Sequence, residues 1–126
     1  MIILLRHAHR TAHGDNAPLS PQGHKQAEAL IRLLPDLPAT IQLYSSPKLR
    51  CQETLKPLSD HLKQPLRIDQ ALAEEKPEET HTLFLERIQN MLRNCQKPCI
   101  LCTHADWLMY ATNRNFQHAE FLMQLL

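Results

Sequence analysis

Glycine is nearly missing from this chain: only Gly14 and Gly23 occur in 126 residues. A dinucleotide fingerprint needs three glycines and a P-loop two at a fixed close spacing, so neither nucleotide cradle can be written here. Any phosphate chemistry must use side chains and helix N-termini. Long apolar runs are missing too. No run exceeds the five residues of Met1 to Leu5 at the start, far short of the roughly 20 residues a spanning helix needs. Its positive charge follows the apolar stretch, the wrong order for a signal peptide, which predicts a cytoplasmic protein. No charge of one sign dominates: 14 Lys+Arg against 13 Asp+Glu give a net charge of +1. Without a basic block, neither a nucleic-acid nor a membrane partner is expected. An apolar content of 43% is enough to close one core, so a single domain over 1–126 is expected.

Four cysteines are present, and Cys95, Cys99 and Cys102 have the C-x3-C-x2-C spacing that radical-SAM enzymes use for an iron–sulfur cluster. Cluster ligands must converge on one point. Here Cys99 and Cys102 fall within Pro98 to Thr103, which reads as a buried strand whose alternation sends the two sulfurs to opposite faces. Small buried hydrophobes are the expectation.

Apolar patterning gives the elements. Ile2-Ile3-Leu4-Leu5 reads as a strand covered on both faces. Ser20-Pro21 supplies an N-cap with proline at the first helical position, and Ala27, Leu30, Ile31 and Leu34 repeat at helical spacing until Pro35. Thr40 to Tyr44 predicts a second strand, and Ser46-Pro47 repeats the cap-plus-proline start. Cys51, Leu55, Leu58 and Leu62 stripe that helix, with a kink or break expected at Pro57. Leu66 to Asp69 predicts a third strand, and Glu74 to Glu79 a solvated acidic loop. Phe84, Ile88, Met91, Leu92 and Cys95 mark a further helix. Pro98 to Thr103 is the fourth strand, and Asp106 to about Asn113 a short helix. Gln117 to Leu125 is ambiguous: its residue preferences favour a helix, and a closing strand also fits.

This alternation predicts an α/β fold, a three-layer arrangement with a mostly parallel sheet and helices on both faces. Ligands of such sheets bind beyond the C-terminal strand ends, near a topological switch point. Four strand ends there deliver Arg6 and His7, then Ser45, Ser46 and Arg50, then Glu74 and Glu75, and finally His104. Paired guanidinium forks and a helix N-terminus suit a phosphoryl group. A neutral imidazole can attack phosphorus, and neighbouring cations would hold it unprotonated. A second histidine, if charged, can stabilise the transferring oxygens, and a carboxylic acid can protonate the leaving oxygen. No metal or other cofactor is required.

These residues sit in four ordered motifs. Leu5-Arg6-His7-Ala8 resembles the "RHG" signature of the histidine phosphatase superfamily, the phosphoglycerate-mutase-like fold. Pro18-Leu19-Ser20-Pro21-Gln22-Gly23-His24-Lys25-Gln26-Ala27 is similar to its "L-T-x-x-G-x-x-Q-A" helix entry. Ser45 to Thr54 resembles its "S-S-P-x-x-R-x-x-Q-T" segment, and Ile100 to His104 the strand that ends in its second histidine. The resemblance implies that His7 is the phosphorylated nucleophile, that Arg6, Arg50 and His104 complete the phosphate pocket, and that Glu74, in Leu72-Ala73-Glu74, is the acid, with Glu75 in reserve. Too few residues separate Arg50 from His104 for the mutases' lid, so a minimal lid is implied. The compact size is similar to the small bacterial phosphohistidine phosphatases. Ala8 and Ala105 replace family glycines, and His13 stands where mutases often carry an asparagine.

Some features lie outside that pattern. His7-x-His9 with His13 has a metal-ligand spacing, but Asp15 is the only acid nearby. Arg10, His13 and Glu75 are candidates for a substrate rim. His24, His61, His81 and His118 receive no functional reading, and Trp107 reads as core. The expected activity is a metal-independent phosphatase acting on a phosphomonoester or phosphohistidine, its partner a phosphorylated small molecule or a phosphoprotein. A small sugar-phosphate phosphatase, or a non-catalytic phosphate- or phosphopeptide-binding protein of the same fold, stays open.

Overall fold

A computed structural model describes residues 1–11 and 14–124. The His13 expectation therefore lies outside the described residues. Alternating apolar side chains organise the molecule. In β1 (Ile2–Arg6), Ile2 and Leu4 face one core while Ile3 and Leu5 face another. β4 (Cys99–Thr103) divides likewise, with Cys99 and Leu101 against Ile100 and Cys102. A strand of this composition must be covered on both sides. α1 (Pro21–Leu33) and α2 (Leu49–Leu62) cover one face through Leu30, Leu34, Leu55 and Leu58. α3 (His81–Asn94) and α4 (Ala105–Thr112) cover the other through Phe84, Ile88, Trp107 and Leu108. The three-layer α/β expectation holds.

With β2 (Gln42–Ser45), β3 (Leu66–Ile68) and β5 (Phe121–Gln124), the sheet has the order β3-β2-β4-β1-β5. Its pairings are parallel except β1 with β5, which is antiparallel. The ambiguous C-terminal segment is thus a closing strand over Phe121–Gln124, not a helix. Its side chains alternate, Phe121 and Met123 packing on one core and Leu122 on the other. Between Arg50 and His104 the chain is occupied by the rest of α2, β3, a 3-10 turn (Gln70–Leu72), α3 and β4, with no lid insertion. Among the described residues, no helix is long and apolar enough to cross a membrane.

Three other expectations need correction. Ser46 does not cap α2: the N-cap is Lys48, which makes no side-chain capping bond, and the Ser46 hydroxyl is used elsewhere. Pro57 does not break α2, which runs through it. Only one backbone bond is lost there, and Thr54, Leu55 and Leu58 anchor the helix on both sides of the proline. The acidic loop is not freely solvated. Arg87 Nη2 lies 2.7 Å from Glu79 Oε1, and the pair is largely shielded from water. That contact holds the Glu79 carboxyl well below the usual carboxylate range.

The cysteines are free and buried. Cys99 and Cys102 belong to opposite cores, as alternation requires, while Cys95 and Cys99 sulfurs lie 3.6 Å apart.

α1 is bolted to the loop after β1. Ser20 accepts from the Gly23 N–H at 3.0 Å, and the His9 carbonyl accepts from the Ser20 N–H at 3.0 Å. Gln26 Oε1 accepts from the His9 N–H at 2.9 Å. Gly23 itself lies directly on the His9 backbone, where an added Cβ would overlap the His9 carbonyl oxygen. Backbone cannot yield as a side chain would. Gly23→Ala is therefore expected to cost about 1–3 kcal/mol, the usual penalty of overpacking. A urea midpoint equal to that of the unsubstituted protein would contradict this packing.

Candidate active site

β1 and β4 lie side by side, yet α1 and α4, which follow them, cover opposite faces. The chain thus parts at the C-terminal ends of these strands and leaves a crevice, the switch point at which such sheets bind ligands. His7 and His104 flank it, their ring centroids 5.5 Å apart. One cavity of about 310 Å³ there is lined by Arg6, His7, Arg10, Arg50, Glu74 and His104, together with Ala105, Asp106 and His118. Glu75, the reserve acid, is not among them.

Hydrogen bonds set the orientation of each ring. His7 Nδ1 lies 2.8 Å from the Ala8 carbonyl oxygen, which can only accept. Nδ1 thus carries the proton, and the lone pair of the neutral ring is on Nε2. The Ala8 N–H is satisfied in turn by Thr54 Oγ1 at 2.8 Å, so α2 fixes the backbone beside the ring. Ser46 Oγ lies 2.8 Å from His104 Nε2 and accepts from the Lys48 N–H at 3.3 Å. With the Lys48 N–H on one lone pair, the hydroxyl keeps a proton to give and a second lone pair to receive one, and either bond orients the His104 ring. This is the service that Ser46 performs in place of capping.

Burial sets the charge. His7 and His104 are 5% and 2% exposed. Loss of water drives the His7 imidazole down from its ordinary 6.5 to about 4, and the positive charges of Arg50 and Arg6 add to this. The same desolvation takes His104 to about 2, with Arg50 the next contributor. Cations therefore assist, but desolvation leads. Both rings are neutral at pH 7, so the condition that the second histidine be charged is not met in the free protein.

Arg50, the second residue of α2, is 3% exposed. A buried guanidinium beside the positive end of a helix needs negative charge. Glu74 Oε1 supplies some at 2.7 Å from Nη2, and the Asp15 carbonyl accepts from Nη1 at 3.1 Å. Glu74 is held in place by Arg87, whose Nη2 donates to the Glu74 carbonyl at 3.0 Å and whose Nη1 donates to the Ala73 carbonyl at 2.7 Å. Arg6 donates through Nη1 to the Phe116 carbonyl at 2.7 Å. Among the described residues, Arg6 Nε, Arg50 Nε and His104 Nδ1 are buried without a hydrogen-bond partner. Unpaired buried donors cost about 1–3 kcal/mol each, and three on residues around one cavity make a site for an oxyanion.

Other candidates are placed differently. Glu75 lies 3.1 Å from His81 Nδ1 and does not line the cavity. His9 Nδ1 is engaged with Ser20 Oγ at 2.7 Å. Among the described residues, no group of His, Cys, Asp and Glu side chains is arranged to hold a metal ion. Arg10 lines the cavity and donates to the Gly14 carbonyl at 3.0 Å. Trp107 is core, its indole N–H donating to the Ala71 carbonyl at 2.8 Å. Sequence reasoning missed His118, which no strand end announces, and Arg87, which helical spacing places beside the apolar stripe of Phe84, Ile88 and Met91 and which reads there only as a flanking charge.

The family model of the histidine phosphatase superfamily (branch 1) matches residues 2–98. This chain belongs to the histidine phosphatase superfamily. The matched span includes Arg6, His7, Arg50 and Glu74, while His104 lies beyond it and joins them through the β1–β4 pairing. An 8-oxo-(d)GTP phosphatase of Mycolicibacterium smegmatis is 33% identical over 86 residues, 68% of this chain and 26% of that protein. The chain therefore spans only about a quarter of that relative. Among solved structures, the mycobacterial glucosyl-3-phosphoglycerate phosphatase is similar with a TM-score of 0.72 and 14% identity, over 95% of this chain and 87% of that one. The phosphoglycerate mutase of Thermus thermophilus gives 0.67 and 19% identity, over 94% and 85%. Both structures share the fold.

The depressed imidazoles link stability to pH. Between the unfolded value of 6.5 and the folded values of about 4 and about 2, the unfolded chain binds more protons than the folded one. Stability is full above pH 6.5 and is lost as the pH falls through that window, by about 1.4 kcal/mol per pH unit for each histidine at most. Urea unfolding at pH 7, 6 and 5 is expected to show a shallower decline in His104→Gln than in the unsubstituted protein. Equal slopes would place His104 in water.

Proposed function

We propose that this protein is a phosphoric monoester hydrolase working through a phosphohistidine on His7. The observation that carries this reading is the state of the His7 ring. Its Nδ1 proton is committed to the Ala8 carbonyl, its lone pair is on Nε2, and burial keeps it unprotonated at neutral pH. A phosphoryl dianion in the cavity would meet Arg6 and Arg50, and His104 through Nδ1 in the tautomer that protonates that nitrogen, preorganised donors for the charge on its oxygens. Nε2 attacks phosphorus in line while the bond to the leaving oxygen breaks, and that oxygen takes a proton. Water then attacks the phosphohistidine, releasing inorganic phosphate and restoring His7. No step calls on a metal ion.

Glu74 is the acid in this scheme. The incoming dianion competes for the Arg50 fork that Glu74 occupies, which frees the carboxyl to face the leaving oxygen. Glu74 also forms a wall shared with a second cleft of about 410 Å³, bounded by Lys48, Gln70 and Pro77, into which an organic leaving group would extend. An acid beside room for a leaving group favours esters of small organic alcohols over phosphohistidine, which departs readily without protonation. The superfamily relatives named as phosphatases of small phosphorylated molecules support the same choice. It also counts against a purely non-catalytic phosphate-binding role.

His7→Ala is expected to reduce hydrolysis of an aryl phosphate to the uncatalysed background while the fold survives; turnover equal to the unsubstituted enzyme would refute the nucleophile. Glu74→Gln is expected to slow alkyl phosphates by about 10²–10⁴-fold, the usual worth of general acid catalysis, and activated aryl phosphates much less. Equal losses on both would remove Glu74 from the acid role. A phosphohistidine protein hydrolysed faster than any small ester, with no dependence on Glu74, would favour the protein-phosphatase reading instead. Rates are expected to be unchanged by EDTA.

A further inference from the structure

We propose that His118 is a proton-gated binding residue of the same pocket: neutral in the free protein, it takes up a proton when a doubly charged oxyanion arrives and becomes an additional cation around it. This rests on the reading of the cavity as a phosphoryl site. His118 comes from the opposite end of the chain, yet its ring centroid lies 5.7 Å from that of His7 and 5.2 Å from that of His9. It opens on the cavity that holds His7, His104 and Arg50.

Backbone contacts fix His118 there. The Ala119 N–H donates to the His7 carbonyl at 3.1 Å, and the Arg6 N–H donates to the Glu120 carbonyl at 3.1 Å. Arg6 Nη1 is tied to the Phe116 carbonyl, so both flanks of His118 are fastened to the end of β1. Ala119 has φ 61°, in the left-handed region that a residue with a Cβ seldom adopts. Strain of this kind persists where the surroundings enforce it, commonly at ligand sites. Here it turns His118 toward His7 immediately before β5 begins.

The groups around the imidazole are His7, His9, Arg6 and Arg10. Burial and the charges of Arg6 and Arg10 hold it below its ordinary value in the free protein. A dianion in the cavity reverses the balance, since an opposite charge at close range favours the charged imidazole. By linkage, the oxyanion must then bind more tightly as the pH falls through the window between the free and bound values. His7 is engaged by its bond to Ala8 and His104 by its bond to Ser46, so each can offer one ring nitrogen. His118 has neither constraint.

Sulfate is the probe, because it stays a dianion throughout this pH range. The pH titration of the His118 ring is followed by NMR with and without saturating sulfate. Its pKa is expected to rise by about one unit or more, which is a tenfold tighter complex with the protonated ring. His118→Gln should still bind sulfate but lose most of the tightening between pH 7.5 and 6. His118→Lys, with a fixed charge, should bind at pH 7.5 about as tightly as the unsubstituted protein does at pH 6. Sulfate that perturbs His7 and His104 while leaving the His118 pKa unmoved would overturn the proposal. Sulfate that perturbs none of the three would refute the phosphoryl-site reading itself, and this inference with it.

Discussion

Everything distinctive in this molecule follows from keeping two neutral imidazoles and the Arg50 guanidinium, which is paired with Glu74, out of water. Solvent would hydrate these groups for nothing, whereas the crevice between β1 and β4 leaves His104 Nδ1 and two guanidinium Nε atoms with no partner among the described residues. That cost is tolerable because a double-sided apolar core holds the strand ends rigid. Ile2 to Leu5 and Cys99 to Cys102 are almost wholly buried, and their pairing brings Arg6 level with Thr103. The same register places His7 opposite His104.

Around that pair, each supporting contact fixes one proton or one angle. The Ala8 carbonyl holds the His7 proton, Thr54 holds the Ala8 amide, and Ser46 holds the His104 ring. Arg87 acts from further out, strapping the segment from Ala71 to Glu79 so that the Glu74 carboxylate meets Arg50. These supports come from α2, α3 and the loop after β2, segments that contribute few of the reacting groups. The arrangement gives a chain with two glycines a cavity of fixed side chains at its strand ends. Rigid side chains on strand ends do the work that a glycine-rich loop does elsewhere.

The strands and helices of the core were legible because burial on two faces leaves an unbroken apolar run and burial on one leaves a helical stripe. Ser20-Pro21 was legible for a local reason, as a cap and a proline need only their own turn. Ser46 misled because its partner, His104, is brought close only by sheet pairing. Pro57 leaves α2 unbroken because tertiary packing on either side outweighs one missing bond. The last strand was ambiguous because a short apolar run at a sheet edge has no helical or strand period of its own. Among the site residues, Arg6, His7, Arg50 and His104 could be found from strand ends and motifs. His118 could not, since a loop histidine before an antiparallel edge strand carries no sign of what it will face. The choice between Glu74 and Glu75 likewise needed the Arg50 contact.

Burial keeps the His7 ring neutral at physiological pH, and the Ala8 carbonyl holds its proton on Nδ1 and leaves Nε2 bare. Nitrogen-15 NMR of the His7 ring reads this directly in the free protein. The expected result is an Nδ1–H tautomer with a pKa of about 4. An Nε2–H tautomer, or titration near the ordinary value of 6.5, would contradict it.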